Sequence, residues 1–441
     1  MTAFWCEYAW LDDAPVAGVR IEVQDGRIES VHRRARVDPG DKHLSGLVLP
    51  GFANAHSHAF HRALRGRTHD RGGTFWTWRS RMYEVAARLD PDSYLALARA
   101  TYAEMALGGV TSVGEFHYVH HAPRGAPYAD PNAMGQALVQ AAGDAGVRLT
   151  LLDTCYLAGG LEARGHTALD EVQMRFADHS AAAWAERMTT LDSHDRLRVG
   201  AAVHSVRAVP ADQLQHVVTA AQGRPLHVHV SEQQLENETC QAFYGCTPTA
   251  LLAAHGVLGT ETTAVHATHA TDGDIALLGA TGTAVCACPT TEADLADGIG
   301  PFGALQLAGS PVCVGSDQHA LTDLLAEARL VESYERLATG GRGRFTPGAL
   351  VETLTTSGQQ AIGWGDAGRI TTGQRADLVA VQLDSPRTAG TAPEQVVMVA
   401  GAADVRTVVA DGHVVVSDGQ HVIGDVGELL GRAIEPLWAD G

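Results

Sequence analysis

The sequence predicts an α/β protein in which a (β/α)8 TIM-like barrel is inserted in a small β-sandwich formed by both chain ends. Three observations lead there. Both ends read as short strands joined by tight turns, the middle alternates eight apolar strands with helical stretches, and histidines and carboxylates fall where those strands stop. Residues 1–46 and 370–441 are assigned to the β-sandwich and 47–369 to a catalytic barrel. A length of 441 residues exceeds an average domain, but a barrel with additions uses it as one large unit.

At the N-terminus, Val19-Arg20-Ile21-Glu22-Val23 alternates apolar and polar residues, and Gln24-Asp25-Gly26-Arg27 carries a hairpin turn. The C-terminal part matches it in style. Strands at 377–381, 405–409 and 414–416 are punctuated by Asp411-Gly412 and Asp418-Gly419. Between the ends, strands are expected at 47–49, 112–116, 148–152, 198–203, 226–230, 263–266, 283–286 and 312–315. Helical stretches at 94–107, 133–145, 211–221, 250–254 and 274–278 separate them, and 321–338 and 350–362 follow the last strand. Loops are expected at 70–73 and 123–130, and Phe75-Trp76-Thr77-Trp78-Arg79 falls in the first long loop. In such a barrel the chemistry sits at the C-terminal ends of the strands.

The formal charge of −19 excludes nucleic acid and anionic membrane as natural partners. An anionic substrate therefore needs a local cluster of positive charge. Lys42 is the only lysine, so that cluster must be built from arginine. No apolar run reaches membrane-spanning length. The segment 1–11 carries Glu7 and lacks the basic flank of a leader. Seven cysteines without a CxxC pair fit reduced thiols, so a cytoplasmic protein is expected. Cys286 and Cys288 alternate on a strand; as residues often found buried they read as core thiols rather than ligands. A homodimer is the expected assembly.

The polar residues then fall into place. Pro50-Gly51-Phe52-Ala53-Asn54-Ala55-His56-Ser57-His58 follows the first strand. Residues i and i+2 face one side, so His56 and His58 point together and suit a divalent metal such as zinc. The fifth strand ends His227-Val228-His229-Val230-Ser231-Glu232, the sixth ends in His266 with His269 beyond, and the eighth ends Gly315-Ser316-Asp317-Gln318-His319. Three histidines and one aspartate from strands one, five and eight would give one metal a His3Asp shell. Spacing alone leaves His227 and His229 as alternatives. Each residue taken singly is more often a satisfied polar group than a ligand.

These motifs resemble the amidohydrolase superfamily, most strongly its mononuclear deaminases. Gly368-Arg369-Ile370 and Gly373-Gln374-Arg375-Ala376-Asp377-Leu378-Val379 are similar to that superfamily's return from barrel to β domain. The resemblance implies one divalent metal ion, zinc, held by His56, His58, His229 and Asp317. His229 is the fifth-strand ligand because the family's Glu lies three residues after it. The carbamylated lysine of binuclear relatives is excluded, since Lys42 precedes the barrel; Glu115 is left as a bridging alternative. The metal would activate water, Asp317 would accept its proton, Glu232 would protonate the leaving nitrogen and His266 would hydrogen-bond the reacting oxygen. The plain reading of Glu232 is a carboxylate at a helix start.

Further stretches narrow the substrate. Phe75-Trp76-Thr77-Trp78-Arg79, Glu115-Phe116-His117-Tyr118-Val119-His120-His121 and His204-Ser205-Val206-Arg207 are similar to the formimidoylglutamate deiminase family. That resemblance implies hydrolysis of N-formimidoyl-L-glutamate to N-formyl-L-glutamate and ammonia, a step of histidine degradation. The substrate is a small-molecule dicarboxylate, which arginines bind bidentately. His61, Arg79, Tyr118, His204 and Arg207 are the implied binding residues, and His61 stands where the family commonly has glutamine. Two alternatives are carried: a deaminase of an aromatic base or nucleoside such as guanine or an adenosine derivative, and a non-catalytic assembly protein.

Overall fold

The computed structural model describes residues 2–69 and 73–439. The loop expected at 70–73 lies, apart from Gly73, outside the described residues. The two chain ends build one eight-stranded sheet, the frame of the β-sandwich. The strand Lys42–Pro50 is its joint, parallel to Thr2–Leu11 and antiparallel to Leu378–Val381. The hairpin turns form as their residues require. Asp25 (φ 49°) and Gly26 (φ 78°) join Gln24 to Arg27, and Asp411 (φ 48°) and Gly412 (φ 77°) join Ala410 to His413. Two successive positive φ angles define the two-residue turn that matches strand twist.

Residues 47–49 were expected as the first barrel strand, and here the structure differs. They belong to the chain-end sheet, and the first barrel strand is Phe52–Ser57. The expected join at 46–47 consequently falls inside Lys42–Pro50. The reason is burial on both faces. Val48 packs into the β-sandwich core while Leu47 and Leu49 face the barrel side. A strand covered twice loses its alternation and reads like a barrel strand. The chain crosses between the sheets at Gly51, where a Cβ would lie 2.4 Å from Thr111 Oγ1.

The barrel runs Phe52–Ser57, Val110–His117, Arg148–Cys155, Leu197–Val203, Leu226–Val230, Thr262–His266, Ala284–Ala287 and Val312–Val314, each parallel to the next. A parallel bridge between Ser57 and Asp317 closes it. Asp317 N donates to His56 O at 3.0 Å, and His58 N donates to Asp317 O at 3.1 Å. Helices cover the outside. Pro91–Leu107 starts at Asp90, whose side chain accepts from Ser93 N, with proline at the first turn.

Two further differences concern helices. Phe75-Trp76-Thr77-Trp78-Arg79, expected in a loop, opens the helix Phe75–Arg88. Its buried residues Phe75, Trp78, Met82, Val85 and Ala86 recur at three- and four-residue spacing, which makes one apolar stripe. A C-terminal helix, Val426–Trp438, was not expected. It packs on Pro91–Leu107, and Trp438 Nε1 donates to Ala63 O at 2.9 Å. Below the barrel, buried Arg148 pairs with Asp377 and, at 2.8 Å, with Asp411, which also accepts from Arg375 at 2.9 Å. That network ties the barrel floor to the β-sandwich. Among the described residues no helix is long and apolar enough to cross a membrane.

Candidate metal centre and substrate cavity

The barrel's C-terminal mouth collects the polar strand ends. His56 and His58 come from strand one, His229 from strand five, and Asp317 follows strand eight; their ligand atoms all lie within 4.8 Å of one another. His56 Nε2 and His229 Nε2 are 3.0 Å apart, and Asp317 Oδ1 is 3.4 Å from both His56 Nε2 and His58 Nε2. The backbone is bent to achieve this. Ser231 (φ 51°), His266 (φ 72°) and Asp317 (φ 44°) adopt left-handed conformations at the ends of strands five, six and eight. Such conformations are uncommon outside glycine and concentrate at functional sites.

The donor set fits a divalent cation. His58 Nδ1–H donates to Phe116 O at 2.9 Å and His229 Nδ1–H to His204 O at 2.9 Å. Those bonds fix the tautomer and leave each Nε2 with a lone pair facing inward. Burial pushes the His56 imidazole down to about 3 and holds His58 and His229 below their usual range. The three imidazoles are thereby kept neutral, the form that binds a metal, and His56 Nδ1 has no hydrogen-bond partner, so nothing in the protein prevents His56 Nε2, 3.0 Å from His229 Nε2, from turning its lone pair inward. Burial works against the Asp317 carboxylate, but the neighbouring His56, 3.4 Å away, and the charge of His266 hold it well below the carboxylate range.

Around this set lie the other expected residues. Glu232 Oε1 is 3.9 Å from His266 Nε2, which is 3.8 Å from Asp317 Oδ2. His266 Nδ1 faces Glu292 at 3.3 Å. Burial opposes charging of His266, but Glu232, Glu292 and Asp317 together raise it to about 10. A cavity of about 520 Å3 opens beside them. His61, Arg79, Tyr118, His204 and Arg207 all line it, together with His58, His229, Glu232, His266 and Asp317. His61 Nε2 and Tyr118 Oη are 2.9 Å apart, and the His204 ring packs 4.6 Å from Tyr156. Arg207 Nη2 donates to Glu232 Oε2 at 3.0 Å. Arg79 stacks over Trp76 at 4.8 Å and Tyr83 at 5.3 Å.

Other candidates are set apart. His227 lies deeper, its Nε2 2.9 Å from Ala361 O, and is not in the four-residue set. Glu115 is occupied by Ser57 Oγ and Ala59 N, both at 2.7 Å. His319 lies between Ser57 and Ser316, at 3.2 and 3.0 Å from their hydroxyls. Lys42 rests 5.7 Å over Phe4 in the chain-end sheet. Cys286 is a buried core thiol; Cys288 lies near His266 and Glu292, outside the four-residue set.

The comparisons with known proteins agree with this geometry. Residues 47–415 match the amidohydrolase family model. The chain belongs to the amidohydrolase family. A formimidoylglutamate deiminase of Pseudomonas aeruginosa is 34% identical over 437 residues, which covers 93% of this chain and 94% of its own. A 5-methylthioadenosine/S-adenosylhomocysteine deaminase of Haloarcula marismortui is 28% identical over 90% of this chain and 88% of its own. The crystal structure of an amidohydrolase from Brucella melitensis superposes with a TM-score of 0.92 at 31% identity, covering 100% of each chain.

Within this amidohydrolase, sequence reasoning passed over Glu292, Glu236 and the trio Tyr83, Tyr156 and Gln173. Glu292 had a signal, since it sits in the first turn of Pro289–Asp294 directly after strand seven. Glu236 lies one turn beyond Glu232, with Oε2 3.7 Å from Arg207 Nε. Gln173 had none, because its partners are distant in sequence.

Proposed function

We propose that this amidohydrolase hydrolyses N-formimidoyl-L-glutamate to N-formyl-L-glutamate and ammonia, with zinc as its ion. The observation that carries this is one cavity lined both by a His3Asp set with Glu232 and by two guanidinium groups, that of Arg207 against Glu232 and that of Arg79 on the aromatic wall. The likeness to the Pseudomonas aeruginosa formimidoylglutamate deiminase supports it. His56, His58, His229 and Asp317 hold the metal. When bound, the ion supplies Lewis-acid activation, lowering the pKa of water from about 15.7 to about 7.

The chain's own groups do the rest. Asp317 takes the proton of the attacking water. Glu232 delivers a proton to the nitrogen that leaves as ammonia, a contribution of ~10²–10⁴-fold for a positioned acid. The amidine carbon gains the water oxygen and loses its terminal nitrogen, so the formimidoyl group becomes formyl. His266, flanked by Glu292 and Asp317, donates a hydrogen bond to the reacting oxygen. Arg207 and Arg79 take the carboxylates, with Tyr118, His204 and His61 in support. Seven free thiols favour a reducing, cytoplasmic setting.

A second reading is favoured by the aromatic lining, which includes Phe75, Trp76, Trp78, Tyr83 and Tyr118, and by the 8-oxoguanine deaminase of Pseudomonas aeruginosa, 27% identical over 81% of this chain and 79% of its own. It makes the substrate an aromatic base. One assay separates the two. Metal-loaded protein is expected to release ammonia from N-formimidoyl-L-glutamate. Deamination of guanine, 8-oxoguanine or 5-methylthioadenosine, with no ammonia from N-formimidoyl-L-glutamate, would replace the first reading with the second.

A further inference from the structure

The cavity wall beyond the metal-binding histidines holds a polar arrangement that the proposed chemistry does not use. Gln173, buried on the short turn Gln173–Arg175, points its amide at two tyrosines. Its Oε1 accepts from Asp170 N at 2.9 Å, which identifies the other end as the NH2. That nitrogen lies 3.0 Å from Tyr83 Oη, 3.0 Å from Tyr156 Oη and 2.9 Å from Gly159 O. An amide nitrogen donates and does not accept, so neither hydroxyl hydrogen can be sent back to Gln173. Even if one tyrosine donates to the other, one hydroxyl hydrogen is left for the cavity that both residues line.

The arrangement is tightly built. A Cβ at Gly159 would lie 2.2 Å from Ala168 O and 3.0 Å from Gln173 Oε1, so glycine is what lets the Gly159 carbonyl stand against Gln173. Phe176 wedges between the rings, 5.9 Å from Tyr83 and 5.6 Å from Tyr156. The guanidinium of Arg79 stacks on Tyr83 and Trp76, and among the described residues it has no carboxylate partner. Phenolic donors beside an uncommitted guanidinium form a receptor for a carboxylate.

We infer that Tyr83 and Tyr156, oriented by Gln173 and flanked by Arg79, form the subsite for the substrate's side-chain carboxylate. The inference rests on the formimidoylglutamate reading and adds a division of labour to it. Arg207 touches Glu232, so it lies at the reacting end and takes the α-carboxylate next to the formimidoyl nitrogen. The side-chain carboxylate extends further along the cavity, to the tyrosines. Tyr83 and Tyr156 contact substrate as specificity residues; Gln173 is a positioning residue.

The test compares N-formimidoyl-L-glutamate with N-formimidoyl-L-glutamine, which has the same shape and no side-chain charge. Tyr83→Phe and Tyr156→Phe each remove one hydroxyl and keep the ring. Each is expected to lower kcat/KM for the glutamate compound ~10-fold or more, chiefly through KM, and to change that for the glutamine compound less than about threefold. Gln173→Glu keeps the shape and gives the hydroxyls an acceptor of their own, so it should produce the same selective loss with metal content intact. Equal loss on both compounds, or no loss on either, overturns the subsite while leaving the wild-type activity standing. No ammonia from N-formimidoyl-L-glutamate with the wild-type protein overturns the reading beneath it.

Discussion

Arg207 sits between the proposed acid and the space that receives substrate, with Nη2 3.0 Å from Glu232 Oε2 and Nε 3.7 Å from Glu236 Oε2. A guanidinium carries five N–H donors, so it can hold Glu232 and still offer a face to a carboxylate. Arg207→Met is therefore expected to lower kcat/KM for N-formimidoyl-L-glutamate by at least ~10²-fold. It should lower turnover of formamidine, which has no carboxylate, by a smaller factor that reports the lost hold on Glu232. Equal loss on both would assign Arg207 to the chemistry alone. Glu232→Gln keeps the shape and removes the proton, so metal content should stay intact while kcat falls at least ~10²-fold. A nearly active variant would move the acid elsewhere. At this scale the sequence was most readable where the chemistry lies on one strand end. His56 and His58 announce themselves by spacing. His227 and His229 share a face as well, and only depth in the barrel separates them: His227 turns to Ala361 O near the floor. Gln173 meets Tyr83 across a separation of 90 residues, and no local pattern encodes that contact.

Strand ends, rather than strands, position the metal set. Asp317 follows Gly315, whose missing side chain lets strand eight lie against strand one: a Cβ there would stand 2.7 Å from His56 O and 2.8 Å from His56 N. Backbone on a paired strand cannot give way cheaply. Gly315→Ala should separate the two strands, cost ~1–3 kcal/mol or more of stability, and reduce bound metal, read by thermal denaturation and elemental analysis. A stable variant with full metal content would show that the seam tolerates a methyl group. Element assignment from sequence succeeded where periodicity was unambiguous, as in Ala133–Ala145 and Leu226–Val230. It failed in two instructive places. Residues 47–49 lack alternation because both faces are covered, and Phe75–Arg88 begins with bulky aromatic residues whose helical stripe emerges only when Met82 and Val85 are included. The C-terminal helix was missed, although Val426, Leu430 and Leu437 mark its buried face.

The whole molecule buries many titrating groups, and their shifts set a pH optimum for metal-free stability. Burial pushes His120 and His227 down to about 4, and His117, His204 and His319 also lie well below their ordinary range. Unfolded histidine titrates near ~6.5, so below that pH the unfolded chain binds more protons and stability is lost on acidification. Burial raises the Glu115 carboxyl to about 8 and the Glu236 carboxyl to about 7. Both folded values exceed the unfolded ~4.3, so the folded chain holds extra protons and stability drains as pH rises towards them. Below ~6.5 the more numerous histidines dominate; above it the carboxylates act together with His266, whose folded value of about 10 also makes stability fall as pH rises. The thermal midpoint of chelator-treated protein should therefore peak near pH ~6.5 and fall on both sides. A midpoint still climbing at pH ~8.5 would contradict this. Barrel closure carries a last consequence. The two amides that stitch strand eight to strand one belong to Asp317 and His58, whose side chains are ligands of the same proposed ion. An occupied centre would then act as a clasp across the join between the barrel's first and last strands. Stripping the ion should let that join breathe, so that in hydrogen–deuterium exchange these two amides lose protection before those between strands three and four, where seven consecutive residue pairs run in register from Leu149–Leu197 to Cys155–Val203.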